Sequence, residues 1–260
     1  VLRIQSVTVE SGSGNFYMNR SYPVPKEDKQ NVVISQKILS LGVPLNIESF
    51  TINDLGLTYK EFQPLTKRSA VLNFQGITAR AANVTNLPAA ITRNPVMKVT
   101  ADARFLGADV KARLSFALNK TDGSFGATLD INQVAAEKLN NILSPMALIE
   151  AREGILQKLE CTITGTANRA VADVKLLYED LKINLLEKNG GELEKKSLKS
   201  MFANIMIFDD NPKDGTLRTA RGVTLARKHS KSFFNLAWSV VAAGILEVIL
   251  KQKGIKLATG

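Results

Sequence analysis

The sequence predicts a mainly β fold with a few helices, in which a long, curved antiparallel sheet forms a groove or half-open barrel. Three observations lead to this prediction. Apolar and polar residues alternate with a period of two over long stretches, short turns rich in Gly and Asp separate these stretches, and the alternation changes phase inside two of them. Such patterns are typical of one-sided strands, of antiparallel hairpins and of β-bulges that bend a strand. A short mid-chain helix and one or two C-terminal helices complete the predicted fold.

The pattern divides the chain into three predicted regions. Residues 1–42 form an irregular N-terminal segment that continues a longer upstream chain, because the segment is rich in Gly and Pro and starts without an initiator Met or a leader sequence. Residues 43–188 form the antiparallel β-groove domain. Residues 189–260 form a basic segment of helix and strand that packs on or near the sheet.

The clearest alternation lies in three consecutive stretches near the middle of the chain. Turns that contain Gly107 and Gly123 separate the stretches, as expected for an antiparallel meander. The apolar residues that share one face are Met97, Val99, Ala101, Ala103 and Phe105 in the first stretch, Val110, Ala112, Leu114, Phe116 and Leu118 in the second, and Phe125, Ala127, Leu129 and Ile131 in the third.

Two longer stretches, before and after the meander, show the same alternation with a change of phase. In the first, the apolar positions shift between Phe74 and Ile77, and in the second they shift across Glu179 and Asp180. A shift of one residue would turn the apolar side chains to the other face of the sheet unless an extra residue restores the register. Each stretch is therefore predicted to contain a β-bulge.

Other segments have helical periodicity or weak strand character. Residues 133–142 are predicted to form the short mid-chain helix, and residues 193–206 an amphipathic helix or a passage from helix to strand. Residues 217–226 are predicted to form a weak strand. The longest helical candidate spans residues 232–252, with a serine as its N-cap and Gly254 as its stop.

Within that last candidate, residues 233–250 are almost continuously apolar and have basic residues on both sides. As a helix this segment would span about 27 Å, slightly less than the hydrocarbon core of about 30 Å, and Glu247 would be costly inside a bilayer. Three interpretations stay open: a helix docked on the sheet, an interfacial membrane helix, and a membrane span. The residues predicted to contact a membrane are Arg227, Lys228, Lys231, Phe233, Phe234 and Trp238.

The composition is basic, which suits either a solvated surface or an anionic partner such as lipid headgroups, nucleic acid or acidic polysaccharide. The chain has 260 residues, a net charge of +10 and 6% aromatic residues. Residues 188–260 hold thirteen Lys or Arg against six Asp or Glu, so the positive charge is concentrated near the C-terminus, where anionic lipid headgroups would fit it. A nucleic-acid binder that stacks bases would place more aromatic residues among its basic ones, so nucleic acid is disfavoured as a partner.

No arrangement of residues predicts catalysis. The chain has one Cys and one His, too few for a disulfide or a histidine metal cluster, and it contains no phosphate-binding glycine motif and no nucleophile elbow. Residues 209–215 are similar to a calcium-binding loop, but the Glu that closes such a loop is missing at the twelfth position. We therefore predict a protein that is not an enzyme and that has no cofactor and no metal.

Several motifs after residue 43 follow a recurring pattern. They are Ile47-Glu48-Ser49-Phe50-Thr51-Ile52-Asn53, Leu57-Thr58-Tyr59, Glu153-Gly154-Ile155-Leu156, Ile163-Thr164-Gly165 and Val174-Lys175-Leu176-Leu177-Tyr178. Together with residues 74–85 they resemble the strands of the AsmA-like family, in which one strand precedes a tyrosine-bearing strand. Residues 211–218 and 231–238 resemble the tails of such proteins in Bacteroidetes-type bacteria.

The resemblance implies a module of a Gram-negative cell-envelope protein with an N-terminal anchor in the inner membrane and a long periplasmic body. It also implies a role in phospholipid transport and outer-membrane homeostasis. The implied partners are lipid or a membrane surface, the upstream part of the same chain, and other envelope proteins. The family offers no catalytic residue to match.

An apolar sheet face must be covered, whether by closure of the sheet, by a helix or by an apolar ligand. Acyl chains suit such a face because each buried methylene gains about 0.8 kcal/mol. The predicted function is therefore lipid handling through the apolar groove, and the alternative is a periplasmic scaffold without a lipid ligand. The residues predicted to line the groove are Met97, Val99, Ala101, Phe105, Val110, Leu114, Phe116, Phe125, Leu129, Ile131, Leu159 and Ile163.

Overall fold

The computed structural model describes residues 2–23, 32–189, 192–195, 207–228 and 231–250. In this part of the chain the fold is mainly β, as predicted, and twelve strands join into one sheet that stays open. The strands are β1 Leu2–Val9, β2 Gly12–Asn19, β3 Leu45–Gln63, β4 Arg68–Thr85, β5 Val96–Phe105, β6 Ala108–Ala117, β7 Phe125–Ile131, β8 Val134–Ala135, β9 Ile149–Gly165, β10 Arg169–Asn189, β11 Glu192–Lys195 and β12 Thr219–Ala226. The helices are α1 Ile34–Leu39, α2 Pro88–Arg93, α3 Asn140–Ala147 and α4 Phe233–Ile249.

Most of the sheet is an antiparallel meander. Strands β3, β4, β5, β6, β7, β9 and β10 are neighbours in that order, and each pair is antiparallel. Strand β12 pairs with the first part of β10, β11 with its last part, and the two-residue β8 with β9. Short turns join β3 to β4, β5 to β6, β6 to β7 and β9 to β10, with the turns at Gly107 and Gly123 as predicted, whereas α2 lies between β4 and β5 and α3 between β7 and β9.

The predicted irregular structure of residues 1–42 is wrong for residues 2–19. Strands β1 and β2 lie end to end along β3 and pair with it in parallel. Gly12 and Gly14 suggested a loop, but an added Cβ at either glycine would lie 3.3 Å from a methyl group of Leu55 or Leu57. The glycines thus fit β2 closely against β3, and the sheet is antiparallel except at this edge.

The predicted phase changes are bulges in the long strands. The register of β4 shifts between Gln75 and Thr78, where Gly76 has a φ of +57°. The register of β10 shifts after Glu179, where Asp180 has a φ of +52°. Opposite this second bulge, an added Cβ at Gly154 would lie 2.8 Å from the Leu181 Cα, so only glycine fits there.

Contacts of the short helices show that the sheet is strongly curved. The eight-residue helix α3 is about 12 Å long, yet it contacts both β4 and β9. Three strands lie between these two, so in a flat sheet they would be about 19 Å apart. The sheet must therefore bend toward α3. Thr66 Oγ1 donates to the Pro145 carbonyl at 3.2 Å and ties α3 to the turn between β3 and β4.

The helix predictions are confirmed in part. Helix α4 begins after Ser232, whose hydroxyl accepts a hydrogen bond from the Asn235 backbone N–H, and it packs on β10 and β12. The mid-chain helix starts later than predicted, because β8 and a 3-10 turn over Ala136–Leu139 precede α3. Residues 217–226 contain β12. The stop predicted at Gly254 and most of the predicted helix 193–206 lie outside the described residues, although residues 193–195 belong to β11.

Helix α4 and the sheet enclose the main core. The buried face of α4 consists of Phe233, Leu236, Val240, Val241, Gly244 and Val248. The Phe233 ring lies edge-on to Phe125 and Phe116, with ring centroids 4.7 and 5.9 Å away. A docked helix was one of three interpretations for this segment, and the contacts with β10 and β12 support it.

Candidate functional site: an alanine-lined trough

Two rows of apolar residues cross one face of the sheet, because opposed residues of neighbouring strands share a face. The first row is Phe50, Ala81, Val99, Leu114, Ala127, Ile163 and Ala172. The second row is Ile52, Ala79, Ala101, Ala112, Leu129, Cys161 and Val174. Within β4, β5, β6 and β7, five of the eight positions in these rows are alanine.

We call these eight residues of β4–β7 the trough floor: Ala79, Ala81, Val99, Ala101, Ala112, Leu114, Ala127 and Leu129. Every one of them is half-buried. By contrast, Cys161, Ile163, Ala172 and Val174, which continue the rows into β9 and β10, are buried in the core that α4 covers. Small side chains fill little of the space above a curved sheet, so we infer that the floor lines an apolar trough beside α4.

Short helices stand near the two ends of the trough floor. Helix α3 packs against β4 and β9 beside the buried pair Phe105 and Val110, near one end of the meander. Helix α1 contacts β4 and β6 near the other end, where Gln36 Nε2 donates to the Thr121 carbonyl at 3.0 Å. The trough therefore has a floor of strands, a helix at each end and α4 along one side.

The structure separates the twelve predicted groove residues into two groups. Half-buried are Val99, Ala101, Leu114, Leu129 and Ile131. Buried are Met97, Phe105, Val110, Phe116, Phe125, Leu159 and Ile163. The buried group has no surface open to a ligand in this structure, because α4 and α3 pack over that part of the face. Four residues of the first group, Val99, Ala101, Leu114 and Leu129, belong to the trough floor; Ile131 lies outside it, and all of the group except Ala101 also pack against the main core.

The prediction missed four residues of the trough floor: Ala79, Ala81, Ala112 and Ala127. Their alternation with polar neighbours is visible in the sequence, for example between Thr78 and Arg80. The predicted groove residues are mostly large apolar side chains. Large side chains tend to fill a core, whereas alanines leave room above the sheet.

The opposite face of the same strands is charged. A row of charged residues crosses this face: Asp102, Lys111, Asp130, Glu160 and Lys175. Hydrogen bonds from Lys158 and Lys175, each with an N–O distance of 2.8 Å, lower the pKa of Glu160 to about 2. The sheet thus separates a solvated charged face from the apolar trough.

A polar cluster lies at the end of β3, next to the edge strand β2. Glu61 is only 4% exposed and accepts hydrogen bonds from Arg20 Nε and Nη2 at 2.8 and 2.9 Å, from the Tyr59 hydroxyl and from Gln63. Burial alone would raise the pKa of Glu61, but the hydrogen bonds from Arg20 and Tyr59 outweigh it and hold the pKa below its ordinary value. We call Arg20, Tyr59, Glu61 and Gln63 the Glu61 cluster; both Glu61 oxygens accept hydrogen bonds, and Arg20, which follows β2, is thereby tied to β3.

A second buried polar pair lacks such partners. The Tyr178 hydroxyl and both Nη atoms of Arg218 are buried and have no hydrogen-bond partner among the residues that the structure describes. The Arg218 guanidinium lies over the Phe208 ring, 3.2 Å from its centroid. Burial raises the pKa of Tyr178 to about 12. The hydroxyl is therefore neutral at ordinary pH and contributes no hydrogen bond to the core.

Replacing Tyr178 by phenylalanine should leave the free energy of unfolding unchanged or raise it by up to about 1 kcal/mol, because a buried hydroxyl without a partner only costs desolvation. The matched control is Tyr59→Phe, which removes a hydrogen bond to a charged group and should cost about 1.5–3 kcal/mol. Urea unfolding of both variants measures the difference. A loss above about 1 kcal/mol for Tyr178→Phe would show that the hydroxyl has a partner.

The predicted membrane-contact residues also fall into two groups. Phe234 and Trp238 are 64% and 44% exposed on the outer side of α4. Phe233 is only 2% exposed, so its predicted membrane contact is wrong: its ring packs against Phe116 and Phe125 instead. The remaining three, Arg227, Lys228 and Lys231, lie in the segment before α4, where Lys228 is exposed.

Three further observations concern the thiol of Cys161, possible metal ligands and possible membrane-crossing helices among the described residues. Burial raises the pKa of the Cys161 thiol to about 11, so it is protonated at ordinary pH. Among the described residues, no three His, Cys, Asp or Glu side chains are grouped so that they could hold a metal ion. None of the helices in this part of the chain has the length and apolar character that a membrane crossing requires.

Comparisons of the chain with protein-family models, with curated proteins and with solved structures find no match.

Proposed function

We propose that this chain is a non-enzymatic module that binds a lipid acyl chain in the alanine-lined trough. One observation carries the proposal. The trough floor is apolar, half-buried and built mainly from alanine, while the same two rows are buried where they continue into β9 and β10 under α4. An acyl chain is narrow and has no polar groups, so it could cover this floor and gain about 0.8 kcal/mol per buried methylene.

The charged reverse face supports this reading. The reverse face carries a row of Asp, Lys and Glu residues and is suited to water, so only the trough side needs an apolar cover. In this proposal the module belongs to an AsmA-like envelope protein that handles or organises lipids in the periplasm, with the membrane anchor that the resemblance implies located elsewhere in the protein.

The test is to fill the trough. In Ala101→Phe a large ring would occupy the middle of the floor and displace roughly four methylenes, which corresponds to about 3 kcal/mol, or about 100-fold weaker binding. Binding of a fluorescent palmitate analogue and mass spectrometry of lipids extracted from the purified protein measure the effect. Thr100→Phe is the matched control, because Thr100 is the exposed neighbour on the charged face and should leave binding unchanged.

Two results would contradict the proposal. One is a wild-type protein that carries no extractable lipid and does not bind the palmitate analogue. The other is equal binding by Ala101→Phe and Thr100→Phe, which would place the probe somewhere other than the trough. Circular dichroism of both variants checks that each still folds.

A specific observation favours a scaffold as the alternative. Strand β2 has no described partner on its outer side and exposes Phe16 by 60%, Tyr17 by 62% and Met18 by 39%. An open edge with apolar side chains is suited to pairing with another strand. A lipid-free protein whose partner binding is lost in Phe16→Ser and Tyr17→Ser would support this alternative over the lipid module.

A further inference from the structure

The outer side of α4 carries an apolar surface that the trough does not explain. Phe234 and Trp238 are one helical turn apart and point away from the core, so they form one exposed aromatic pair. From Phe233 to Leu246 the helix contains no charged residue at all. A helix docked on a protein core usually presents charged and polar residues to water, so this outer face is unusual for a solvated surface.

Basic residues precede this aromatic pair in the sequence. From Gly215 to Leu246 the chain contains five Lys or Arg and no Asp or Glu; the Arg218 guanidinium is buried over Phe208, and Arg227, Lys228 and Lys231 come just before α4. Arg227 is held at the start of α4, because its Nε donates to the Ala167 carbonyl at 2.7 Å and one Nη donates to the Lys231 carbonyl at 3.2 Å. These hydrogen bonds tie Arg227 to Ala167 and to Lys231, which immediately precedes α4.

We infer that this surface docks on a lipid bilayer that contains anionic headgroups. Trp and Phe side chains favour the boundary between headgroups and acyl chains, and Lys and Arg favour the phosphates just outside it. In the docked state Phe234 and Trp238 enter this boundary, and Arg227, Lys228 and Lys231 lie at headgroup level. Helix α4 stays on the sheet and lies along the membrane surface.

Charge complementarity selects the bilayer as the occupant. Nucleic acid would use the same basic residues but would leave the uncharged outer face of α4 uncovered, and the chain has few aromatic residues for base stacking. The inference does not depend on the trough, because docking needs only the outer side of α4 and the segment before it.

The single tryptophan makes the test direct, since Trp238 is the only one in the chain. The full chain is mixed with phosphatidylcholine vesicles, with or without phosphatidylglycerol. We expect co-sedimentation and a blue shift of the Trp238 emission with the anionic vesicles only, and we expect salt to weaken the binding. Absence of binding to anionic vesicles, or equal binding to both kinds, would overturn the inference.

Surface variants localise the contact. The double variant Phe234→Ser with Trp238→Ser should bind anionic vesicles at least about tenfold more weakly in co-sedimentation, and Lys228→Gln should also bind more weakly. The matched control is Phe16→Ser, an equally exposed aromatic residue on strand β2, which should bind like the wild type. Wild-type binding by the double variant would overturn the inference. Ala101→Phe should still dock, which separates this result from a failure of the trough proposal.

Discussion

Replacing Arg20 by methionine is expected to lower the free energy of unfolding by about 3–5 kcal/mol, because it leaves the buried Glu61 carboxylate without its cationic partner. The two Arg20–Glu61 hydrogen bonds are short, and the Glu61 side chain is only 5% exposed. Arg20 directly follows β2, so the same change should loosen that edge strand from β3. Urea unfolding measures the loss, and hydrogen exchange of residues 12–19 reports the loosening.

The matched control is Arg104→Met, which breaks an exposed ion pair with Asp109. The Arg104 and Asp109 side chains are 72% and 59% exposed and 3.6 Å apart, so their removal should cost less than about 1 kcal/mol. Equal losses for the two variants would mean that the buried Glu61 cluster contributes no more than a surface pair.

The same cluster should make stability depend on pH. The pKa of Glu61 is held below its ordinary value of 4.5 in the folded state, so its stabilisation is present above about pH 4.5 and is lost as the pH falls through the lowered value. The difference between wild type and Arg20→Met should therefore be largest near pH 7 and smaller near pH 3. A difference that does not change with pH would show that Arg20 acts through packing and not through its charge.

Replacing Gly244 by alanine is expected to destabilise the protein by about 1–3 kcal/mol, although the same change in an exposed helix would stabilise it by about 1 kcal/mol. Gly244 is buried on the face of α4 that packs on β10. A Cβ added there would lie 2.9 Å from the Val174 Cβ and closer still to one of its methyl groups. The helix would have to move away from the sheet to accept it.

A double-mutant cycle isolates this contact. Val174→Ala alone should also destabilise, because it leaves a cavity under the helix. Combined with Gly244→Ala, the loss should be smaller than the sum of the two single losses, with a coupling of about 0.5–3 kcal/mol. Thermal or urea unfolding of the four proteins gives the coupling. Additive losses would show that Gly244 and Val174 do not limit the approach of α4 to β10.

Strand alternation was a reliable guide to the fold, because the side-chain period of a strand is local. The run from Met97 to Phe105 became β5, with Lys98, Thr100 and Asp102 exposed on the other face. The phase changes likewise marked true bulges at Gly76 and Asp180. Strands β1 and β2 were missed because both pair with residues of β3 some forty residues further along the chain, and the close fit of Gly12 and Gly14 in β2 depends on leucines of that strand.

The candidate site was predictable only in part. The sequence predicted which side chains share the apolar face, and Val99, Ala101, Leu114 and Leu129 do lie on the trough floor. It could not show that Met97, Phe116 and Phe125 are covered by α4, because the docking place of a helix depends on its contacts and not on its own periodicity. The burial of Phe233 and the exposure of Phe234 follow from the same docking.

The amino-acid sequence by itself determined the central meander, the two faces of its strands and the bulges in the long strands, since each depends on near neighbours along the chain. Only the tertiary structure decided which part of the apolar face is closed and which part stays accessible. The physical reason is coverage: α4 buries the rows where Val174 meets Gly244, whereas the five alanines of the trough floor stay half-buried. The apolar character of a side chain makes its burial favourable, but the packing of distant elements determines whether it is buried.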